Sequence, residues 1–224
     1  MSGLNMCIDQ TGEVVPDLAN LGLFSVYSDH NKTVPARYIN MAELVKMAAM
    51  PAIGSKGNAA ALTPYQAKAK TKAAAQASEY HALVIDHDKD KLSADQVRQI
   101  YRGYELHPLI YTTSSHTPEA PRYKVVIAFD HPIPFRKFTE LAVGAARLLG
   151  TDKAQSNDAQ VFYAPNKLTR DSSYEYFDDT EGRTLDPLNE AHPFIAACAD
   201  SYLDYAEEKE KVAQQAGSKP RTIS

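Results

Sequence analysis

His81-Ala82-Leu83-Val84-Ile85-Asp86-His87-Asp88 is an apolar run that ends in two carboxylates one residue apart. A short continuous apolar run between polar segments reads as a buried strand, here over 81–86. Farther on, His107-Pro108-Leu109-Ile110-Tyr111-Thr112-Thr113-Ser114-Ser115-His116 is a second such run and delivers a Ser-x-His. A loop with Pro118 and Pro121 leads to a third, Arg122-Tyr123-Lys124-Val125-Val126-Ile127-Ala128-Phe129. Between the first two runs, Ser93-Ala94-Asp95-Gln96 has the form of a capping box and predicts a helix to about Tyr104. The spacing predicts strands at 108–113 and 122–129, the last stopped by Pro132 and Pro134.

Residues i and i+2 of a strand share a face, so Asp86 and Asp88 can point into one cleft, and Arg122 and Lys124 can face one side of the third strand. Two carboxylates, a few waters and a triphosphate complete the octahedral oxygen shell that Mg²⁺ or Mn²⁺ prefers. Ser114, His116 and the N–H groups of a turn are donors for phosphate oxygens. A guanidinium at Arg122 grips phosphate with two hydrogen bonds, and an ammonium at Lys124 acts as a point charge. Taken singly, each motif also has an ordinary structural meaning: an acidic loop, a surface histidine, an exposed strand face.

With 44% hydrophobic and 23% charged residues, the 224-residue chain has the composition of a globular protein with one sizeable core. No apolar run approaches the roughly 20 residues of a membrane span, so no membrane partner is expected. Met1-Ser2-Gly3-Leu4-Asn5 lacks a signal-peptide pattern, and Cys7 and Cys198 share no metal or disulfide spacing. A reducing cytoplasm is the expected setting. From Leu44 to Ser78 the chain has five lysines and no acidic residue, against a net charge of -4 overall. Lys56, Lys68, Lys70 and Lys72 are therefore candidates for contact with a polyanion such as nucleic acid, the plain alternative being a solvated helix face. Tyr65 and Tyr163 are candidate base-stacking platforms, with the core as their commoner fate.

Elsewhere, Leu21 to Tyr27 reads as a strand, and Asn40 with Glu43 caps a helix through Met50. Thr63-Pro64 is expected to open a mostly exposed helix to Ser78. Helical spacing runs from Phe135 to Leu149, with Gly150 as its stop, and Gln160 to Tyr163 reads as a short strand. Asp186-Pro187 starts a last helical region that Pro193 interrupts or restarts, and the polar stretch beyond about residue 206 reads as a tail or linker. Asp130, Asp152 and Asp158 are each near a strand or helix end, and the sequence leaves all three open as a further acid for the cleft. Asn166, Lys167 and Arg170 form a basic loop nearby.

Strand-Asp-x-Asp, helix, strand-Thr-Thr-Ser-Ser-His, Pro-Arg-Tyr-Lys-Val-Val and a later Asp before Gln-Val-Phe-Tyr-Ala-Pro, in that order, resemble the archaeo-eukaryotic primase superfamily. The likeness spans about residues 80–166 and is nearest to the primase–polymerase domains of phage, plasmid and other mobile-element replication proteins. It implies an α/β (α+β) fold in which an RRM-like antiparallel sheet is backed by helices. The core would occupy about 79–170, preceded by a smaller α/β part at about 1–78 and followed by a helical part at about 186–205, all one catalytic domain of 1–205, with 206–224 outside it. It further implies template-dependent nucleotidyl transfer with Mg²⁺ or Mn²⁺ on Asp86, Asp88 and, of the three acids, Asp158. Ser114, His116, Arg122 and Lys124 would hold the nucleoside triphosphate. Lys124 stands where such proteins often carry a second arginine. The implied partners are a single-stranded DNA template and a helicase domain or protein, in a bacterial host's cytoplasm. A rolling-circle replication endonuclease would need a His-x-His pair, which the chain lacks. A metal-dependent phosphohydrolase and a catalytically silent nucleic-acid-binding module are the other readings of the same residues.

Overall fold

The computed structural model describes residues 6–8, 14–16, 23–88, 91–151 and 161–217. Strands β1 (Met6–Ile8) and β2 (Val14–Pro16) pair as an antiparallel hairpin. There follow β3 (Phe24–Tyr27), β4 (Arg37–Ile39), α1 (Met41–Ala49), β5 (Ala52–Ile53), β6 (Ala61–Thr63) and α2 (Lys72–Gln76). The next segment runs β7 (Glu79–His87), α3 (Ala94–Gly103), β8 (Leu109–Thr112), β9 (Tyr123–Pro134) and α4 (Phe135–Leu148). The chain continues through β10 (Phe162–Tyr163), β11 (Asn166–Lys167), β12 (Tyr176–Asp178) and α5 (Pro193–Gly217).

The principal sheet has the order β12-β8-β9-β7 and is antiparallel throughout. Because β7 and β8 both pair with β9, the unit β7-α3-β8 is a βαβ split by the strand between its arms. A second antiparallel sheet has the order β10-β6-β3-β4, and β11 pairs in parallel with β5. The fold is thus the expected mixture of antiparallel sheet and packed helices.

The apolar runs show no alternation because both faces of the principal sheet are covered. Leu83, Ile85, Ile110, Val125 and Ile127 pack against Val97 and Tyr101 of α3, Phe138 and Leu141 of α4, and Phe194 of α5. Ala82, Val84, Leu109, Val126 and Ala128 meet Phe24, Val26, Leu62 and Phe162 of the second sheet, with Met41 and Leu44 of α1. Local signals place the helices. Asn40 with Glu43, and Ser93 with Gln96, form complete capping boxes on α1 and α3. Gly150, at φ +66°, follows the end of α4 in the conformation a glycine stop requires.

Three expectations are corrected. The helix expected from Thr63 to Ser78 is reduced to α2, capped by the Thr71 side chain. Ala61 to Thr63 instead form a strand of the second sheet, where the hydroxyls of Ser25 and Thr63 both donate to the Tyr65 carbonyl. Burial of Leu62 and Tyr65 outweighs the helix propensity of the alanine–lysine stretch. Strand β9 does not stop before Pro132, because Ile133 and Pro134 re-pair with Tyr80 and Glu79 after an irregularity opposite His81. The proline with no N–H to give sits within that irregularity. Finally, 187–192 are turns and α5 starts at Pro193, then runs unbroken through 206–217, in place of the expected polar tail. Its good helix formers continue it, and Glu208 makes a two-pronged ion pair with Arg147 of α4, at 2.7 and 2.8 Å.

α4 and α5 approach so closely at Gly144 that a Cβ there would overlap the Cys198 carbonyl oxygen and lie 2.8 Å from its carbonyl carbon. Gly144→Ala should therefore destabilise the fold by about 1–3 kcal/mol or more through overpacking, despite alanine's better helix propensity. Urea denaturation measures this; a stability equal to or above wild type would show that the two helices can separate without cost.

Candidate active site at the strand ends

The pairing of β7, β9 and β8 puts Asp86 opposite Lys124 and Lys124 opposite Tyr111, one row across three strands. All three belong to the face turned toward the second sheet. Lys124, on the central strand, is 5% exposed, and its ammonium is ion-paired with Asp86. Tyr111 donates its hydroxyl to the Tyr163 carbonyl of β10 at 2.9 Å, joining the row to the second sheet. Asp88 follows one pleat beyond Asp86, and its Oδ1 is buried with no hydrogen-bond partner among the described residues.

His87 lies between them on the opposite face. It is buried, and its Nε2 is 2.8 Å from the Tyr101 hydroxyl of α3. The pleat therefore sends two carboxylates into a cleft and uses the residue between them to fix the strand end to a helix.

The cleft is lined by Asp86 of β7 and Asp88 just after it, Thr113, Ser114 and Ser115 from the loop after β8, Arg122 just before β9 and Lys124 near its start. Lys56, Tyr163 and Asn166 close its far side. Its volume of about 60 Å³ suits ions and phosphate oxygens, so the sugar and base of a nucleotide would lie outside it. Lys56 places its Nζ 4.8 Å from the centre of the Tyr163 ring, within cation–π range. Asn166 is held by donating Nδ2–H to the Gly54 carbonyl.

The structure thus gathers Asp86, Asp88, Ser114, Arg122, Lys124 and Lys56 into one site. His116 is not among the lining residues. It is 8% exposed, with its ring 5.5 Å from that of Tyr123. Its Nδ1 accepts the Arg122 backbone N–H at 3.2 Å, and its own N–H donates to the Thr113 carbonyl at 2.9 Å. It closes the loop that presents Ser114 and Arg122. Burial holds its pKa below the ordinary 6.5, with the carboxylate of Glu175 as a smaller opposing influence.

The four lysines separate. Lys68 and Lys72 are exposed, whereas Lys70 donates to the His30 carbonyl and lies 5.4 Å from the Tyr27 ring, so it serves the fold. Burial lowers the Lys70 pKa, opposed by Asp29. Tyr65 is also a core residue, packed 4.9 Å from Tyr80, and only Tyr163 of the two tyrosines faces the cleft. Lys167 is turned away, donating to the Arg170 carbonyl.

Asp130 is removed from consideration as a third acid. It lies six residues from Lys124 along β9, roughly 20 Å away at strand rise, and groups with His131 and Asp186. There, His131 Nδ1 is 2.5 Å from Asp130 and Nε2 is 3.9 Å from Asp186, so the imidazole lies between the two carboxylates. Asp152 and Asp158 lie outside the described residues. Lys56 with Tyr163, and the lock of His87 on Tyr101, depend on pairings between distant segments that no local pattern announces. A larger groove of about 290 Å³ between α4 and α5 is lined mainly by apolar groups such as Leu141, Ile195 and Leu203. Among the described residues no helix is long and apolar enough to cross a membrane.

No family model matches the chain, and no curated protein matches it. Similar solved structures include the AEP domain of the primase–polymerase of cyanophage S-2L, 14% identical over 77% of this chain and 87% of that one, with a TM-score of 0.47. The primase RepB′ is 16% identical over 90% of this chain and 65% of its own, with a TM-score of 0.44. The catalytic domain of RepB′, solved with initiator DNA, is 13% identical over 86% of this chain and 92% of that one, with a TM-score of 0.47.

The buried imidazole has a pH signature. A lowered folded-state pKa means that the charged ring is disfavoured in the fold, so stability is full above the ordinary 6.5 and declines as pH falls through it, when the unfolded chain takes up the proton preferentially. His116→Asn should flatten the decline between about pH 7 and 5 seen in chemical denaturation of the wild type. An NMR titration placing His116 at or above 6.5 would refute the assignment.

Proposed function

We propose that this protein is a DNA primase–polymerase, a template-dependent nucleotidyltransferase that acts in the replication of a mobile element. The observation that carries the reading is the convergence of two strand-end carboxylates, one with a buried unsatisfied oxygen, on a cleft rimmed by Ser114, Arg122, Lys124 and Lys56. An unmet buried acceptor costs about 1–3 kcal/mol, and a cation is what such an oxygen lacks. Oxygen donors at Asp86 and Asp88 fit Mg²⁺ or Mn²⁺, with Asp158 the proposed third ligand.

The bound ions would supply acidity at a primer 3′-hydroxyl and offset charge on the phosphates. The chain's own residues do the positioning. Arg122 grips two phosphate oxygens, Ser114 donates its hydroxyl to another, and Lys124 adds a charge. His116 keeps Arg122 in place from behind, so its part in nucleotide binding is exerted through that arginine. Tyr163, with Lys56 on its ring, offers a stacking surface at the mouth, where sugar and base emerge. Single-stranded DNA would run past Lys56, Lys68 and Lys72. A helicase domain or protein would open the duplex ahead, in the cytoplasm of a bacterial host.

A template-dependent extension assay with Mg²⁺ and Mn²⁺ tests the reading. Asp86→Ala and Asp88→Ala should each lower incorporation by more than the roughly 100-fold that loss of a supporting partner of a metal ligand costs. Full activity in either folded variant would rule the mechanism out. Triphosphate turnover that ignores template would make the protein a phosphohydrolase, and DNA binding without turnover would make it a silent binding module.

The lysines give an independent test. Replacing Lys56, Lys68 and Lys72 with Gln should weaken single-stranded DNA binding irrespective of sequence. The slope of log affinity against log salt should fall by roughly 0.7 for each phosphate no longer neutralised. Lys70→Gln should instead lower thermal stability and leave that slope alone. An unchanged slope in the triple variant would return these lysines to ordinary surface.

A further inference from the structure

Lys124 does something in this structure that phosphate binding does not explain. Its ammonium is buried and neutralises Asp86, its cross-strand partner. On its other flank the register places Tyr111, whose hydroxyl is already given to the Tyr163 carbonyl. One pleat along β7, Asp88 keeps a buried Oδ1 without a hydrogen bond. Among the described residues, the two carboxylates of one cleft thus differ: Asp86 is answered by an internal cation, and Asp88 keeps a buried oxygen without a hydrogen bond.

We propose that Lys124 is a stand-in cation, holding Asp86 until a divalent ion takes that carboxylate, after which the displaced ammonium pairs with the triphosphate. The proposal rests on the reading of the cleft as a metal-dependent nucleotidyl-transfer site. A carboxylate partly withdrawn from water is costly without a counter-charge, so the lysine holds Asp86 in place before loading. The same pairing opposes the arriving ion, because displacing the ammonium leaves a buried positive charge unpaired. Phosphate oxygens remove that penalty, and the flexible four-carbon stem lets the ammonium turn to meet them. Ion and triphosphate therefore bind with positive coupling, each favouring the other by the same factor. A static ion pair that merely orients Asp86 predicts the opposite sign, since removing the lysine would then weaken ion binding.

The test uses the whole protein and Mn²⁺ alone, followed by electron paramagnetic resonance of the free ion. Lys124→Met and Lys124→Gln remove the charge with side chains of similar length, and melting in chelator identifies which variants are folded. Both should bind Mn²⁺ more tightly, with Kd lowered by about tenfold, the order expected when one competing charge leaves a partly screened site. At saturating Mn²⁺, both should bind a non-hydrolysable triphosphate analogue more weakly by a similar factor. Unchanged or weaker Mn²⁺ binding overturns the proposal, as does tighter Mn²⁺ binding with no loss of analogue affinity. A double variant, Asp86→Asn with Asp88→Asn, separates the levels. If it binds Mn²⁺ like wild type, the metal reading of the cleft fails, whatever Lys124 does; if it loses Mn²⁺ while the Lys124 variants gain none, only the exchange fails.

Discussion

The ammonium of a lysine that is only 5% exposed is tolerable only beside an anion, and this requirement couples the register of β7 and β9 to the chemistry of the cleft. Asp86 opposite Lys124 satisfies it. A slip of one residue would turn Asp86 toward the helix-facing layer of Leu83, Ile85 and Val125, and would bring His87 to the face of the second sheet. Both errors bury an unmatched polar group. The sheet is covered on both faces, so no slipped arrangement leaves such a group in water. Register, and with it the position of Asp88 and Arg122, follows from one ion pair and two apolar layers.

The stiffness of the cleft comes from behind it. Residues of the opposite pleat anchor each strand end: His87 to the Tyr101 hydroxyl, and Tyr123 against the His116 ring. His116 accepts the Arg122 N–H and so sets where the guanidinium starts. Preorganised groups are worth most where they need not rearrange during reaction, and here the fixing interactions lie outside the cleft they serve. On the far wall, Tyr111 carries the same constraint into the second sheet through the Tyr163 carbonyl, which ties the lysine-bearing side to the acidic side.

What the sequence shows of this arrangement divides by range. The capping boxes of α1 and α3, the glycine stop of α4 and the apolar run of β7 are local, and their chemistry is readable residue by residue. The i, i+2 rule places Asp86 with Asp88, and Arg122 with Lys124, on shared faces. Residues 63–65 depart from the helical expectation because helix propensity is local, whereas the burial that overrides it comes from Phe24 to Tyr27 far upstream. The length of α5 escapes a sequence reading for a related reason: its polar end looks like linker until Arg147 is placed beside Glu208. Nor does any pattern join Lys56 to Tyr163, or separate Lys70 from its neighbours, because both depend on how the second sheet meets distant loops.

Charge balance shows why these long-range pairings matter. The described lining has two carboxylates, Asp86 and Asp88, and three cations, Lys56, Lys124 and Arg122. One cation is held by Asp86, so the positive charge facing a polyanion is carried by Arg122 and Lys56, with Asp88 opposing it. On the proposed reading such a cleft would attract a bare triphosphate only weakly, and its carboxylates would receive a bare divalent ion against the resistance of Lys124. An ion together with a triphosphate meets both demands, since the ion answers the carboxylates and the phosphates answer every cation the ion releases. On the proposed reading, selectivity for the paired ligand over either component is a property of the charge count and of one buried lysine, and it requires no moving part larger than a side chain.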